Sequence, residues 1–163
     1  MIKAKLDLPE QHGIVLSFLV KRIPPAESLW ALTGSAGLRL QGVDISVNDL
    51  DLQTDAKTVF LLEKGLGEYI KVPVYLWETE HTWSYHGQAE IDGLQVELLG
   101  DIRHRLPDRS WGASLDIESV LVWVEWHEEK IPVLSLVHEA QAYEKMGRLQ
   151  KAELIRSAIR EQT

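Results

Sequence analysis

The 163-residue chain has no cysteine and no long apolar run, and each absence narrows what the protein can be. Without cysteine it forms no disulfide bond and offers no thiolate to a metal ion. No stretch approaches the roughly 20 consecutive apolar residues of a membrane helix. The N-terminus carries Lys3, Lys5, Asp7 and Glu10 and lacks the apolar core of a signal peptide. We therefore expect a cytoplasmic protein with no membrane-spanning segment.

Basic residues are also scarce: the chain has 17 lysines and arginines and 25 acidic residues, and the formal net charge is −8. This balance disfavours extended, non-specific binding to nucleic acid, which needs several basic side chains on one surface. The densest basic run is Arg103-His104-Arg105, with Arg109 close by, and a solvated turn is the favoured interpretation of it. The length and the 45% hydrophobic content predict a single domain over residues 1–163.

The first half of the chain predicts helices that alternate with short strands. Apolar residues recur at helical spacing from Leu8 to Ile23, and Pro24-Pro25 ends that helix. Asp55 is the expected N-cap of a later helix, and Gly65 is its expected end. The other predicted elements are a strand over 29–32, a helix over 36–41, a strand over 50–53 and the Asp55-capped helix over 55–64.

The second half predicts an antiparallel hairpin, a strand pair and two C-terminal helices. The hairpin turns at Asp92-Gly93, because this dipeptide supplies the positive φ angles of a type I′ turn. In that register Gln88 lies opposite Glu97, which shares a strand face with Gln95 and Leu99. Strands over 120–126 and 130–134 precede helices over 135–146 and 149–160. The fold class is α+β, a central mixed β-sheet with an antiparallel hairpin, flanked by helices.

Two short motifs carry chemistry, Thr33-Gly34-Ser35 and Asp49-Leu50-Asp51. Gly34 lets the backbone approach a ligand closely and Ser35 adds a hydroxyl donor, which suits the phosphates of a nucleoside triphosphate. Residues i and i+2 of a strand share a face, so Asp49 and Asp51 project together and offer hard oxygen ligands to Mg²⁺. The chain holds four such acidic pairs, about as many as chance gives, and the Gly-Ser turn upstream distinguishes this one.

A third carboxylate would complete the metal site, and Glu97 is the first candidate for it. Glu97 lies on a separate predicted strand and is an ionisable residue in an otherwise apolar segment. Asp101 and Glu90 are the competing candidates. Of the six tryptophans, Trp83 and Trp111 are the two to test for stacking on a ligand.

No zinc site is expected among the histidines. His81, His86 and His104 lack the i, i+4 spacing of a helical zinc pair, and unpaired histidines are more often surface or core groups.

Three segments, taken in order, resemble the motifs of the nucleotidyltransferase superfamily, which has the DNA polymerase β-like fold. They are Leu32-Thr33-Gly34-Ser35, Asp49-Leu50-Asp51-Leu52 and Val96-Glu97-Leu98. That group includes minimal nucleotidyltransferases, antibiotic adenylyltransferases and the AbiEii-type toxins of toxin–antitoxin systems. The resemblance implies transfer of a nucleoside monophosphate from a nucleoside triphosphate such as ATP to an acceptor hydroxyl, with two Mg²⁺ ions and release of pyrophosphate.

The resemblance also implies roles for the motif residues. Gly34 and Ser35 would bind the triphosphate, and Asp49 and Asp51 would bind metal. Glu97 would be the third metal ligand, or the base that takes the acceptor's proton.

The C-terminal stretch departs from the pattern of small bacterial members. Those members often carry a lysine in the first C-terminal helix and a Lys-Asp pair after Gly-Arg, whereas this chain has Tyr143 and Lys151-Ala152. The roles of Arg148 and Lys151 stay open, as do those of Arg103 and Arg105.

The identity of the acceptor stays open as well. It could be a protein, a transfer RNA end or a small hydroxylated compound. The alternative function is a catalytically inactive module of the same fold, which binds nucleotide or, like an antitoxin, a partner protein.

Overall fold

A computed structural model describes all 163 residues as five helices and one sheet of eight strands. The strands are β1 (Ile2–Lys3), β2 (Ala31–Thr33), β3 (Leu50–Thr54), β4 (Ile70–Glu78), β5 (Thr82–Ile91), β6 (Leu94–His104), β7 (Leu121–Trp126) and β8 (Glu129–Leu134). The helices are α1 (Glu10–Arg22), α2 (Gly34–Leu40), α3 (Thr58–Leu66), α4 (Leu136–Lys145) and α5 (Leu149–Glu161).

The sheet is mixed, with the strand order β1-β7-β8-β2-β3-β6-β5-β4. Its parallel pairs are β1 with β7, β2 with β8 and β3 with β6, and the other neighbours are antiparallel. The predicted α+β fold, with a mixed sheet and two C-terminal helices, is confirmed. None of the helices is both long and apolar enough to cross a lipid bilayer.

The hairpin of β5 and β6 has the predicted turn and register. Asp92 and Gly93 have φ angles of 53° and 75°, as a type I′ turn requires. The pairing runs from Ile91 opposite Leu94 to Gln88 opposite Glu97. The turn thus fixes which face of β6 carries Glu97.

Some predicted helix ends are wrong by a few residues. Gly65 lies inside α3, which continues to Leu66 before the chain turns at Gly67 with a φ of 48°. Asp55 does act as a cap, since its Oδ1 accepts a hydrogen bond from the Thr58 N–H at 2.7 Å, but α3 begins only at Thr58. The helix predicted over 36–41 already begins at Gly34.

The C-terminal helices follow the prediction closely. The hydroxyl of Ser135 accepts a hydrogen bond from the His138 N–H at 3.2 Å and caps α4. Gly147, with a φ of 77°, then separates α4 from α5.

The main core lies on one face of the sheet, under α1 and α3. It joins alternate residues of the central strands to the apolar faces of these two helices. The strand residues include Leu50, Leu52, Val96 and Leu98, and the helix residues include Val15, Leu16, Leu19, Val59, Leu62 and Leu66. Side chains alternate along a strand, so Asp51 and Glu97 project from the opposite face.

A second, smaller core joins α2 to the C-terminal helices. Its buried residues are Leu38, Val43, Leu136, Ala140, Tyr143, Ala152, Ile155 and Ala158. This cluster fixes α4 and α5 beside the turn at Gly34.

Candidate functional site

Two of the three predicted metal-binding carboxylates, Asp51 and Glu97, project from one face of the sheet, and the third, Asp49, lies just before β3. Asp51 on β3 and Glu97 on β6 are direct neighbours in the parallel register, and Asp49 lies two residues before Asp51. Both aspartates lie close enough to Glu97 that the charge of Glu97 raises the pKa of each. The competing candidates lie elsewhere: Asp101 bonds Arg103 at 2.8 Å, and Glu90 is exposed opposite Gln95.

Of the three carboxyl groups, Asp51 has the pKa that is shifted most. Burial, then the charges of Glu97 and Asp49, raise the pKa of Asp51 from 3.8 to about 7. The pKa of Asp49 is also raised, by burial first and then by Glu97. Carboxylates with perturbed pKa values that lie near one another are typical of functional sites, where a cation can offset their repulsion.

Glu97 has its own set of partners and stays ionised. Gln95 Nε2 donates a hydrogen bond to Glu97 Oε1 at 2.7 Å, and His86 Nε2 lies 3.3 Å from Glu97 Oε2. The bond from His86 is the main cause that lowers the pKa of Glu97. The ring of Trp77 stacks on His86, with the centroids 5.4 Å apart. Neighbouring strands therefore fix both the position and the charge of Glu97.

The predicted phosphate turn packs directly against Asp51. Gly34 has a φ of 68°, and a Cβ on it would lie 2.5 Å from Asp51 Oδ2. The Ser35 hydroxyl accepts a hydrogen bond from the Asn48 N–H at 3.1 Å, which ties the turn to the segment before Asp49. Because its oxygen acts as the acceptor, the hydroxyl hydrogen of Ser35 remains available for a ligand.

Glu139 on α4 is a buried residue of this site that the sequence reasoning missed. Its carboxyl group accepts hydrogen bonds from the Thr33 hydroxyl and from the Gly34 N–H. Burial raises the pKa of Glu139 to about 7 despite these bonds. The α4 cap at Ser135 was visible in the sequence, but nothing there showed that α4 packs against the turn.

Lys151 on α5 brings a positive charge to the carboxylates. Its charge interacts with Asp51 and Glu139, while burial and the nearby Arg148 lower its pKa. Lys151 Nζ lies 4.7 Å from the centre of the Tyr143 ring, and the Arg148 guanidinium lies 5.0 Å from it. Lys151 and Tyr143 are therefore part of the site's surroundings, although the sequence left the role of Lys151 open.

A cleft of about 750 Å³ opens from the carboxylates. It begins at Gly34 and Asp51 and runs between α4 and the segment 102–115. Its floor and walls include Trp77, Leu99, Ile102, Leu106 and Met146. This volume is in the range of pockets that bind cofactors or drug-sized ligands.

The two tryptophans singled out in the sequence lie beside arginines. The Arg103 guanidinium is 5.0 Å from the Trp83 ring and the Arg105 guanidinium is 3.8 Å from the Trp111 ring. These arginines cover faces on which a ligand would have to stack.

The donor set fits a hard divalent cation. Asp49, Asp51 and Glu97 supply only carboxylate oxygens, which Mg²⁺ prefers. The side chains as they stand form no group of three or more acidic or histidine residues placed to hold a metal ion. Mg²⁺ is usually held by one or two carboxylates together with water and substrate phosphates, so such a site does not require a preformed group of three.

The chain is similar to nucleotidyltransferases along most of its length. Residues 15–157 match the family model described as aminoglycoside-2″-adenylyltransferase. A solved structure from Thermotoga maritima, described as a presumed nucleotidyltransferase, is 38% identical, with a TM-score of 0.85 over 96% of this chain and 98% of that one.

A second solved structure shares the fold at lower identity. It is a lincosamide antibiotic adenylyltransferase with lincomycin bound, 13% identical, with a TM-score of 0.56 over 91% of this chain and 99% of that one. A comparison with curated protein sequences finds no match.

Proposed function

The chain belongs to the aminoglycoside-2″-adenylyltransferase family of the nucleotidyltransferase superfamily, and from this premise we propose that it is a Mg²⁺-dependent enzyme. The proposed reaction transfers a nucleoside monophosphate from a nucleoside triphosphate to an acceptor hydroxyl. The family description favours ATP as the donor. The observation that carries the proposal is the register of β3 and β6, which aligns Asp51 with Glu97 beside Gly34.

The motif residues and Lys151 each have a role in the proposal. Gly34 allows the triphosphate to approach the backbone, and Ser35 donates its free hydroxyl hydrogen to a phosphate oxygen. Asp49, Asp51 and Glu97 would hold Mg²⁺, which when bound supplies positive charge to the phosphate oxygens. Lys151 places a further positive charge next to Asp51, where it can stabilise the pyrophosphate that leaves.

The chemical step is an in-line displacement at the α-phosphorus. The acceptor oxygen forms a bond to this phosphorus while the bond to the bridging oxygen of the β-phosphate breaks. The electron pair of the broken bond leaves with pyrophosphate, and the proton of the acceptor hydroxyl passes to a base. Glu97 is ionised and can accept that proton, but its lowered pKa suits a metal ligand better than a base that works near neutral pH.

Calorimetric titration of the four ribonucleoside triphosphates, with and without Mg²⁺, tests this proposal. We expect the wild type to bind ATP only with Mg²⁺ present and the Asp49→Asn/Asp51→Asn variant to lose this binding. Circular dichroism would first establish that both proteins are folded. The matched control is Asp44→Asn/Glu90→Gln, which also removes two charges but at exposed positions, and it should bind as the wild type does.

The same preparations distinguish the enzyme from an inactive module. Binding of ATP and Mg²⁺ without pyrophosphate release, whichever acceptor is offered, would favour the non-catalytic alternative. No binding of any nucleotide to the wild type would contradict both the enzyme and a nucleotide-binding module, and would favour a module that binds a partner protein.

A further inference from the structure

The charged residues along the cleft are unevenly distributed. Its two carboxyl groups, Asp51 and Glu139, lie at the end beside Gly34. Apart from the phenol of Tyr143, every other titratable residue that lines it is basic, namely Arg103, His104, Arg105, His138 and Lys145. This contrasts with the net charge of −8 of the whole chain.

The two arginines are already paired. Arg103 lies 2.8 Å from Asp101 and also donates a hydrogen bond to the Ser114 hydroxyl at 2.8 Å. Arg105 lies 3.8 Å from Glu78. Their charges are therefore largely balanced by residues around the cleft.

His104, His138 and Lys145 have no such partners. None of them lies within ion-pair distance of a carboxylate. They influence one another instead: burial and then Lys145 lower the pKa of His104, and burial, Lys145 and His104 lower the pKa of His138. Three basic groups thus approach one another across the cleft, from the end of β6 and from α4.

Helix geometry separates these bases from the carboxylate end. Successive residues of an α-helix are turned by about 100°, so His138 and Lys145, two turns apart, share one side of α4. Glu139 and Tyr143 share the next side, and their titration is coupled to Asp51. The bases therefore lie beside the carboxylate site, away from the turn and from Lys151 on α5.

We propose that His104, His138 and Lys145 bind an oxyanion, a phosphate or carboxylate group, carried by the acceptor. This inference rests on the proposed function. It makes the acceptor an anionic hydroxyl compound whose body fills the apolar cleft and whose hydroxyl reaches the carboxylate end. A polycationic aminoglycoside would bring like charge to Lys145 and would meet no carboxylate along the cleft apart from Asp51 and Glu139, which disfavours it as the acceptor. The ammonium of Lys145 donates a charge-assisted hydrogen bond to the oxyanion, and each neutral imidazole can donate one more from its single ring N–H.

Nuclear magnetic resonance of the histidine rings tests the site with inorganic phosphate as the probe. The chain has six histidines, and spectra of His104→Gln and His138→Gln would assign two of their signals. We expect saturable shifts of these two signals. Lys145→Glu should weaken phosphate binding about tenfold. Lys64→Glu, the same change at an exposed position on α3, is the matched control and should leave it unaltered.

A second titration, with Mg²⁺ and a non-hydrolysable ATP analogue at saturation, identifies the source of the anion. Persistent phosphate shifts support an acceptor group. Displacement of phosphate by the analogue would mean that the three bases bind the nucleotide, and it would overturn the proposal. Shifts at other histidines only, or none, would overturn it as well. This titration needs no turnover. The phosphate shifts can therefore be absent while nucleotide binding is present, or present while nucleotide binding is absent, so failure of this inference is distinguishable from failure of the proposed function.

Discussion

Asp51→Asn should reduce pyrophosphate release by about 10³-fold and, in metal-free protein at pH 8, should stabilise the fold. The activity falls because an amide is a poor Mg²⁺ ligand, and a metal ion contributes several kcal/mol to the stabilisation of charge in phosphoryl transfer. The stability rises because Asp51 is buried among carboxylates that repel it. Opposite changes in activity and stability are typical of a residue kept for function.

The pH dependence follows from the direction of the shift. The pKa of Asp51 is about 7 in the folded protein and near its ordinary 3.8 in the unfolded chain. Between these values the unfolded chain loses a proton that the folded protein keeps, so the free energy of unfolding decreases as the pH rises from about 4 to about 7. Asparagine does not titrate, so the Asp51→Asn variant lacks this pH-dependent decrease in the free energy of unfolding. Glu139 is shifted in the same direction, so a smaller decrease should remain.

Urea unfolding in EDTA at pH 5 and pH 8 measures this effect. The wild type should be less stable at pH 8 by a few kcal/mol, and Asp51→Asn should narrow the difference. The control is Asp44→Asn, at a side chain that is 91% exposed, which should change neither the activity nor the pH dependence. Retained turnover in Asp51→Asn, or a loss of stability at pH 8, would contradict the assigned role.

Gly34→Ala should reduce activity about 100-fold while the protein stays folded. The new Cβ would lie 2.5 Å from Asp51 Oδ2 and would displace that carboxyl group. A small misplacement of a catalytic group can cost this much in rate. The φ of 68° adds backbone strain of about 1–2 kcal/mol, because an alanine is unfavourable in the left-handed region.

Gly147→Ala is the control that separates the effect of backbone strain from the effect of displacing the Asp51 carboxyl group. Gly147 has a similar φ of 77°, but nothing lies within 4 Å of a Cβ placed on it. It should lose a similar amount of stability in thermal unfolding and keep its rate of pyrophosphate release. Equal losses of activity in both variants would show that contact with Asp51 is not the cause.

The carboxylate site is accessible from the sequence because local rules determine it. The Asp92-Gly93 turn sets the register of β5 and β6, and the two-residue period of a strand separates Glu97 from the core residues. The same period predicts Asp49 and Asp51 on one face, although the structure begins β3 only at Leu50, one residue after Asp49. The expectation that Glu97 joins the two aspartates was strengthened by the family resemblance, since periodicity alone does not order the strands.

The rest of the site depends on long-range packing. Glu139 reaches the Gly34 turn only because β8 pairs with β2 in parallel and α4 then packs on α2. Lys151 comes near Asp51 through the packing of α5 on α4, and His86 meets Glu97 across the hairpin. No local sequence signal marks Glu139 or Lys151 as a site residue, because a charged residue on a helix usually faces solvent.

A crystal structure of the wild type with Mn²⁺ and a non-hydrolysable ATP analogue tests the central claim most directly. We predict anomalous density for Mn²⁺ within about 2.3 Å of carboxylate oxygens of Asp49, Asp51 and Glu97. We also predict the phosphates of the analogue at the Gly34–Ser35 turn. Density held by other residues, or nucleotide bound without metal at these carboxylates, would contradict the account.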